Sequence, residues 1–175
     1  SALTKRISEG EERPQFFVAA AVLVGFLIAV VSILVLAGRP YVSDYIGYPA
    51  AEYVIAILFV TLGSSLVMSL LDGLHLVHIT GPLSTLRTGS RALFQIGAVV
   101  SGLGLVGLFA GYIAGFGLAI AVGVAFAIRH LDGLSMPERR HFRSLFEYAR
   151  YSWVGSLTSR MFNYTDVLVL GFFVH

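Results

Sequence analysis

Residues 92–128, ALFQIGAVVSGLGLVGLFAGYIAGFGLAIAVGVAFAI, carry no charged side chain. As one helix rising 1.5 Å per residue, this run would reach about 55 Å, well beyond the roughly 30 Å of hydrocarbon in a bilayer. It is therefore expected to fold back as two crossings. The turn is placed in the glycine cluster between Gly102 and Gly117, because glycine supplies the left-handed conformation that a tight turn needs.

The rest of the chain divides in the same units. An uncharged run covers 15–37, with Pro14 at a first-turn position where a missing N–H costs no helical hydrogen bond. Residues 38–50, GRPYVSDYIGYPA, combine Pro, Gly and three tyrosines and read as a short loop with an aromatic belt at headgroup level. A second uncharged run, 53–71, follows. The stretch 72–91 contains Asp72, His75, His78, Pro82, Arg87 and Arg91, and reads as a turn and helix extension outside the hydrocarbon. After 92–128 come a charged loop, 129–150, and a last apolar segment, 151–174. The expectation is an all-α polytopic transmembrane bundle of about five spans. The chain opens on Ser1 and stops at His175 inside an apolar run, so further residues are expected on both sides.

Composition agrees with this layout. The 175 residues are 57% hydrophobic and 13% charged, against about 25% charged in a soluble domain, and the mean hydropathy is +0.82. A formal charge of +2 gives no ground for nucleic-acid binding. Cysteine is absent, which excludes disulfides, thiol nucleophiles and cysteine metal sites. With loops on alternate sides, Lys5, Arg6, Arg13, Arg87, Arg91, Arg129, Arg139, Arg140, Arg143 and Arg150 fall on one side. Arg39 falls on the other, and Arg160 lies within a span. By the positive-inside rule, residues 1–13, 72–91 and 129–150 are expected to be cytoplasmic.

Few residues could carry function. Ser135 and Glu138 have capping-box spacing ahead of Phe142, Leu145, Phe146 and Ala149 at helical intervals, with arginines around them. This basic amphipathic helix reads either as an ordinary interfacial helix or as a linker on the inner leaflet. Arg160, Asn163 and Asp166 lie in the last span, where an ionised side chain costs about 2.5–3.5 kcal/mol and must face protein or a watery cavity. Arg160 and Asp166 are about 120° apart around a regular helix and so do not form an i,i+4 pair. Both a structural network and a substrate pathway are compatible with them. Gly107, Gly111 and Gly115 have small-residue spacing for helix packing, although they straddle the expected turn. Glu52 suits snorkelling or a proton-coupling role. His75, His78 and His130 have no metal-ligand cluster around them, so neither a metal nor a cofactor is expected.

The stretch FEYARYSWVGSLTSRMFNYTDVLVLGFFV (146–174), a surface helix leading into a span that carries an Asp, resembles a repeat start of the multidrug/oligosaccharidyl-lipid/polysaccharide flippase superfamily. ALTKRISEGEERPQFF (2–17) is similar to that family's cytoplasmic lead into its third helix. The resemblance implies two six-helix lobes facing a central cavity, with alternating access. Residues 1–128 would supply helices three to six of lobe one, 129–150 the cytoplasmic linker, and 151–175 the first helix of lobe two. It further implies a cytoplasmic-membrane flippase for oligosaccharides or polysaccharide precursors linked to polyprenyl or dolichyl phosphate, working among membrane lipids. Arg160 would attract the phosphate, Asn163 would hydrogen-bond phosphate or sugar, and Asp166 would orient helix contacts. The alternatives are a multidrug antiporter, with Asp166 binding a coupling proton or sodium ion, and a membrane enzyme acting on lipid-linked sugars. The enzyme reading lacks an Asp-x-Asp or His-x-x-x-x-Asp set.

Overall fold

The computed structural model describes residues 2–8, 12–131, 133, 135–147 and 149. The described residues are helical apart from short connections. Three of the helices are long and apolar enough to cross a membrane. The order is α1 (Ala2–Ser8), α2 (Arg13–Ala37), α3 (Arg39–Ile46), α4 (Ala51–Gly73), α5 (Val77–Val100) and α6 (Gly104–His130). Residues 139–147 form a further helix.

The runs 15–37 and 53–71 are borne out as α2 and α4. Pro14 occupies the first turn of α2. That helix is apolar all round and buries only Ala19 and Ala20 among its residues, as expected of a surface offered to lipid. The loop expected at 38–50 instead contains α3. Pro40 fits its first turn, and Gly47, at φ 72°, ends it with an N–H donated to the Ser43 carbonyl. Arg39 of α3 pairs with Glu52 of α4 at 2.8 Å, with both side chains more than half exposed.

The turn and helix extension expected at 72–91 are both present. Only 74–76 is non-helical, and α5 runs from Val77 through Pro82, Arg87 and Arg91 to Val100. Pro82 lies inside α5, one turn past its start, and has no N–H to give the His78 carbonyl. The chain reverses at 101–103, at the leading edge of the glycine cluster rather than within it.

Both reversals use one device, the Schellman motif. After α4, the His75 N–H donates to the Asp72 carbonyl at 3.1 Å and the Leu76 N–H to the Leu71 carbonyl at 2.9 Å. After α5, the Gly102 N–H donates to Val99 at 2.9 Å and the Leu103 N–H to Ala98 at 3.0 Å. The motif needs a left-handed residue, supplied by Gly102 at φ 81° and by His75 at φ 59°. A side chain there costs about 1 kcal/mol. His75→Gly is therefore expected to raise the melting temperature of the purified complete protein by a few degrees, measured by thermal unfolding in detergent, and a fall would contradict the assignment.

Helix α6 is the common partner of α4 and α5, which touch each other much less. Gly107, Gly111 and Gly115 lie within this one helix, not across a turn, and all three are buried. A Cβ on Gly107 would come within 2.8 Å of Ala98 Cβ, one on Gly111 within 2.6 Å of Gln95 N, and one on Gly115 within 2.5 Å of Arg91 Cα. Going up α6 thus means going down α5, an antiparallel pair in backbone contact. The contact admits hydrogen bonds from Ser90 Oγ to the Gly115 carbonyl at 3.2 Å and from Gln95 Nε2 to the Leu108 carbonyl at 3.0 Å. Gly123 serves the other face, where a Cβ would meet Val67 of α4 at 2.5 Å.

At the end of the bundle holding α1, the 74–76 turn and the end of α6, the 139–147 helix docks on α2. Leu145 is buried and Phe142 packs against the core. The expected Ser135 cap is not used, because the helix starts four residues later. Instead His141, 1% exposed, reaches back so that its Nδ1 accepts the Glu138 N–H at 2.9 Å. Its Nε2 is left to donate to Glu12 at 2.9 Å. Arg140 also bonds Glu12, and Phe16 meets the imidazole edge-on at 4.8 Å.

Candidate functional site

Helices α4 and α5 turn polar stripes toward each other. On α4, Ser65, Ser69 and Asp72 recur at i, i+4 and i+7. On α5, Thr80, Ser84, Arg87 and Arg91 recur at i, i+4, i+7 and i+11. Both spacings follow a single helix face. Because both helices lean on α6 rather than on each other, a cleft of about 490 Å³ opens between them. Ser65, Ser69, Asp72, Thr80, Ser84 and Arg87 contribute to its walls.

Past the cleft, the arginines are held by aromatic rings of α6. Tyr112 and Phe116, four residues apart, stack with centroids 4.4 Å apart and an interplanar angle of 11°. Arg87 lies over Phe116 at 5.2 Å and Arg91 over Tyr112 at 5.5 Å. The two cation–π contacts thus repeat one helical turn apart. Arg87 Nη1 also reaches Ser64 Oγ at 3.4 Å, and Tyr112 shares a hydrogen bond with Thr61 at 3.3 Å. Neither arginine forms a salt bridge among the described residues, and Arg91 Nε is buried with no hydrogen-bond partner there.

Their position against α6 follows from the antiparallel register. Arg87 and Arg91 are ten and fourteen residues into α5, about 15 and 21 Å along a helix of about 36 Å. Gly115 of α6, itself long and apolar enough to cross a membrane, touches the backbone of Arg91. Two cations one turn apart, faced among the described residues by rings and hydroxyls rather than carboxylates, can attract an anion such as a phosphate. The hydroxyls and Asp72 offer donors and acceptors to a polyol.

Sequence reasoning placed Arg87 and Arg91 in a turn and helix extension outside the hydrocarbon and gave them no site role. The usable signal was the shared stripe spacing on 65–72 and 80–91. Arg160, Asn163 and Asp166 lie outside the described residues. Glu52 is bound to Arg39. His130 Nδ1 lies 2.8 Å from the Phe126 carbonyl, within the last turn of α6.

The all-helical bundle with its apolar helices defines a membrane protein. Two curated proteins of Haloferax volcanii are similar to the chain. "Probable flippase AglR" is 28% identical over 176 aligned residues, covering 99% of this chain and 36% of its own length. "Probable low-salt glycan biosynthesis flippase Agl15" is 27% identical over 173, again covering 99% of this chain and 36% of its own length. The chain is thus homologous over its whole extent to proteins named as flippases, which bears out the flippase resemblance, and it spans about a third of their length. No family model and no solved structure matches it.

Proposed function

We propose that the complete protein is a flippase that carries a lipid-linked oligosaccharide or polysaccharide precursor across the cytoplasmic membrane by alternating access. The observation that carries this reading is the Arg87–Arg91 pair, held one helical turn apart on α6 rings without a carboxylate partner among the described residues. Such a pair suits the phosphate or diphosphate of a polyprenyl or dolichyl carrier. The hydroxyl-lined cleft between α4 and α5 suits the sugars that accompany it. Transport of this kind moves the headgroup past hydrocarbon and requires no covalent chemistry. The names of the two relatives support the same reading.

Sidedness follows from the charges. With α5 a crossing helix, Lys5, Arg6, Arg13, Arg129, Arg139, Arg140 and Arg143 lie at one end of the bundle and Arg39 at the other. That end is cytoplasmic by the positive-inside rule. Arg160, Asn163 and Asp166 are proposed to extend the polar path from the first helix of the second lobe.

Complete protein reconstituted in vesicles is expected to expose a polyprenyl-diphosphate oligosaccharide, loaded in the inner leaflet, to an external glycan-cleaving enzyme. Exposure no faster than in protein-free vesicles would overturn the flippase reading. If the same vesicles instead took up a lipophilic cation along a proton or sodium gradient, the antiporter alternative would replace it.

A further inference from the structure

The 139–147 helix and α2 enclose a second concavity, separate from the cleft between α4 and α5. Its outer part, about 820 Å³, is lined by Leu23, Phe142, Phe146 and three arginines, Arg139, Arg140 and Arg143. Leu23 and Phe146 also line an apolar groove of about 500 Å³ that continues along α2 and α4, past Leu27, Leu62 and Leu66. A cationic mouth thus opens into an apolar trough, the shape and polarity of an amphiphile with an anionic head.

The arginines have donors to spare. Arg139 has no ion pair among the described residues. Arg143 engages Glu147 through Nε at 2.9 Å, leaving both Nη groups. Arg140 is committed to Glu12 and to Glu138, which fixes the helix against α2 and orients its two neighbours. Among the described residues, the nearby carboxylates Glu12, Glu138 and Glu147 are bound to Arg140, His141 and Arg143, and none of them lines the mouth.

We propose that this is a binding site for an anionic membrane lipid: its phosphate sits among Arg139, Arg143 and Arg140, and an acyl chain lies in the groove between α2 and α4. Anionic lipids are concentrated in the cytoplasmic leaflet, the side on which the positive-inside rule puts these arginines. The occupied site would hold the 139–147 helix on α2 through the lipid as well as through Glu12.

The test uses the purified complete protein in detergent and a short-chain fluorescent phosphatidylglycerol, displaced by unlabelled phosphatidylglycerol, phosphatidylcholine or inorganic phosphate. Phosphatidylglycerol is expected to displace the probe at least tenfold better than phosphatidylcholine, and inorganic phosphate not to displace it at comparable concentration. Arg139→Gln with Arg143→Gln should weaken phosphatidylglycerol binding by about tenfold or more, from about fivefold per surface arginine, while phosphatidylcholine is little changed. Leu27→Ser with Leu66→Ser should weaken both lipids. Unchanged affinity in the double arginine variant would overturn the site. Equal displacement by inorganic phosphate would reduce it to a free-anion site and overturn the lipid assignment. Arg139→Gln, which breaks no ion pair, keeps the test available should the double variant misfold. Arg87→Leu with Arg91→Leu separates this site from the transport cleft: loss of probe binding there would assign the lipid to the cleft instead.

Discussion

Replacing Arg87 and Arg91 together by leucine in the complete protein is expected to lower lipid-linked oligosaccharide translocation by a hundredfold or more without lowering the melting temperature. A hydrogen bond to a charged group contributes about 1.5–3 kcal/mol, so each arginine lost from a phosphate contact costs about ten- to a hundredfold. Stability should change little. Neither side chain gives up a salt bridge among the described residues, and the cation–π contacts that leucine forfeits offset the cost of holding the charges against apolar rings, which it removes. Leucine still packs on Tyr112 and Phe116. Arg→Lys at both positions should retain part of the activity, since charge is restored but the guanidinium fork is not. The measurement is translocation in vesicles at matched protein level, with thermal unfolding of the same preparations. Full translocation by a well-folded double-leucine protein would remove these residues from the substrate path, and a sharp drop in melting temperature would make them structural.

Gly115→Val is expected to disrupt the fold, whereas Gly117→Ala on the same helix is expected to be neutral or mildly stabilising. A Cβ at Gly115 would lie 2.5 Å from both Arg91 N and Arg91 Cα, backbone atoms that cannot swing aside, so α5 and α6 must separate. Overpacking of this kind costs about 1–3 kcal/mol or more. The separation would also break the Ser90 and Gln95 hydrogen bonds across the pair. At Gly117 a Cβ would meet nothing within 4 Å, and alanine gains up to about 1 kcal/mol of helix propensity. Because Gly115 also sets where Arg91 leaves the helix, any Gly115→Val protein that does fold should translocate poorly. Detergent-extracted variants compared by size-exclusion profile and melting temperature decide the matter. Indistinguishable behaviour of the two substitutions would refute the backbone contact.

The sequence by itself determined the membrane character, the helices α2 and α4, the fold-back within 92–128 and the basic end of the bundle. Those features rest on local quantities: an uninterrupted apolar run long enough for hydrocarbon, a proline at a helix start, arginines clustered at one end. The docked face of the 139–147 helix was legible too, because Phe142 and Leu145 recur at helical spacing. Tertiary structure decided the rest. Averaging hydropathy along 77–100 counts Arg87, Arg91 and Pro82 against an apolar helix, yet α5 packs along its length on a neighbour that offers rings to the cations and glycines to the backbone. That compensation comes from Tyr112, Phe116 and Gly115, more than twenty residues away in the chain, and no window over α5 contains it. The same holds for Glu12 and His141, 129 residues apart and joined by a 2.9 Å hydrogen bond. A polar residue's cost in a membrane is set by what faces it, and what faces it is decided by packing.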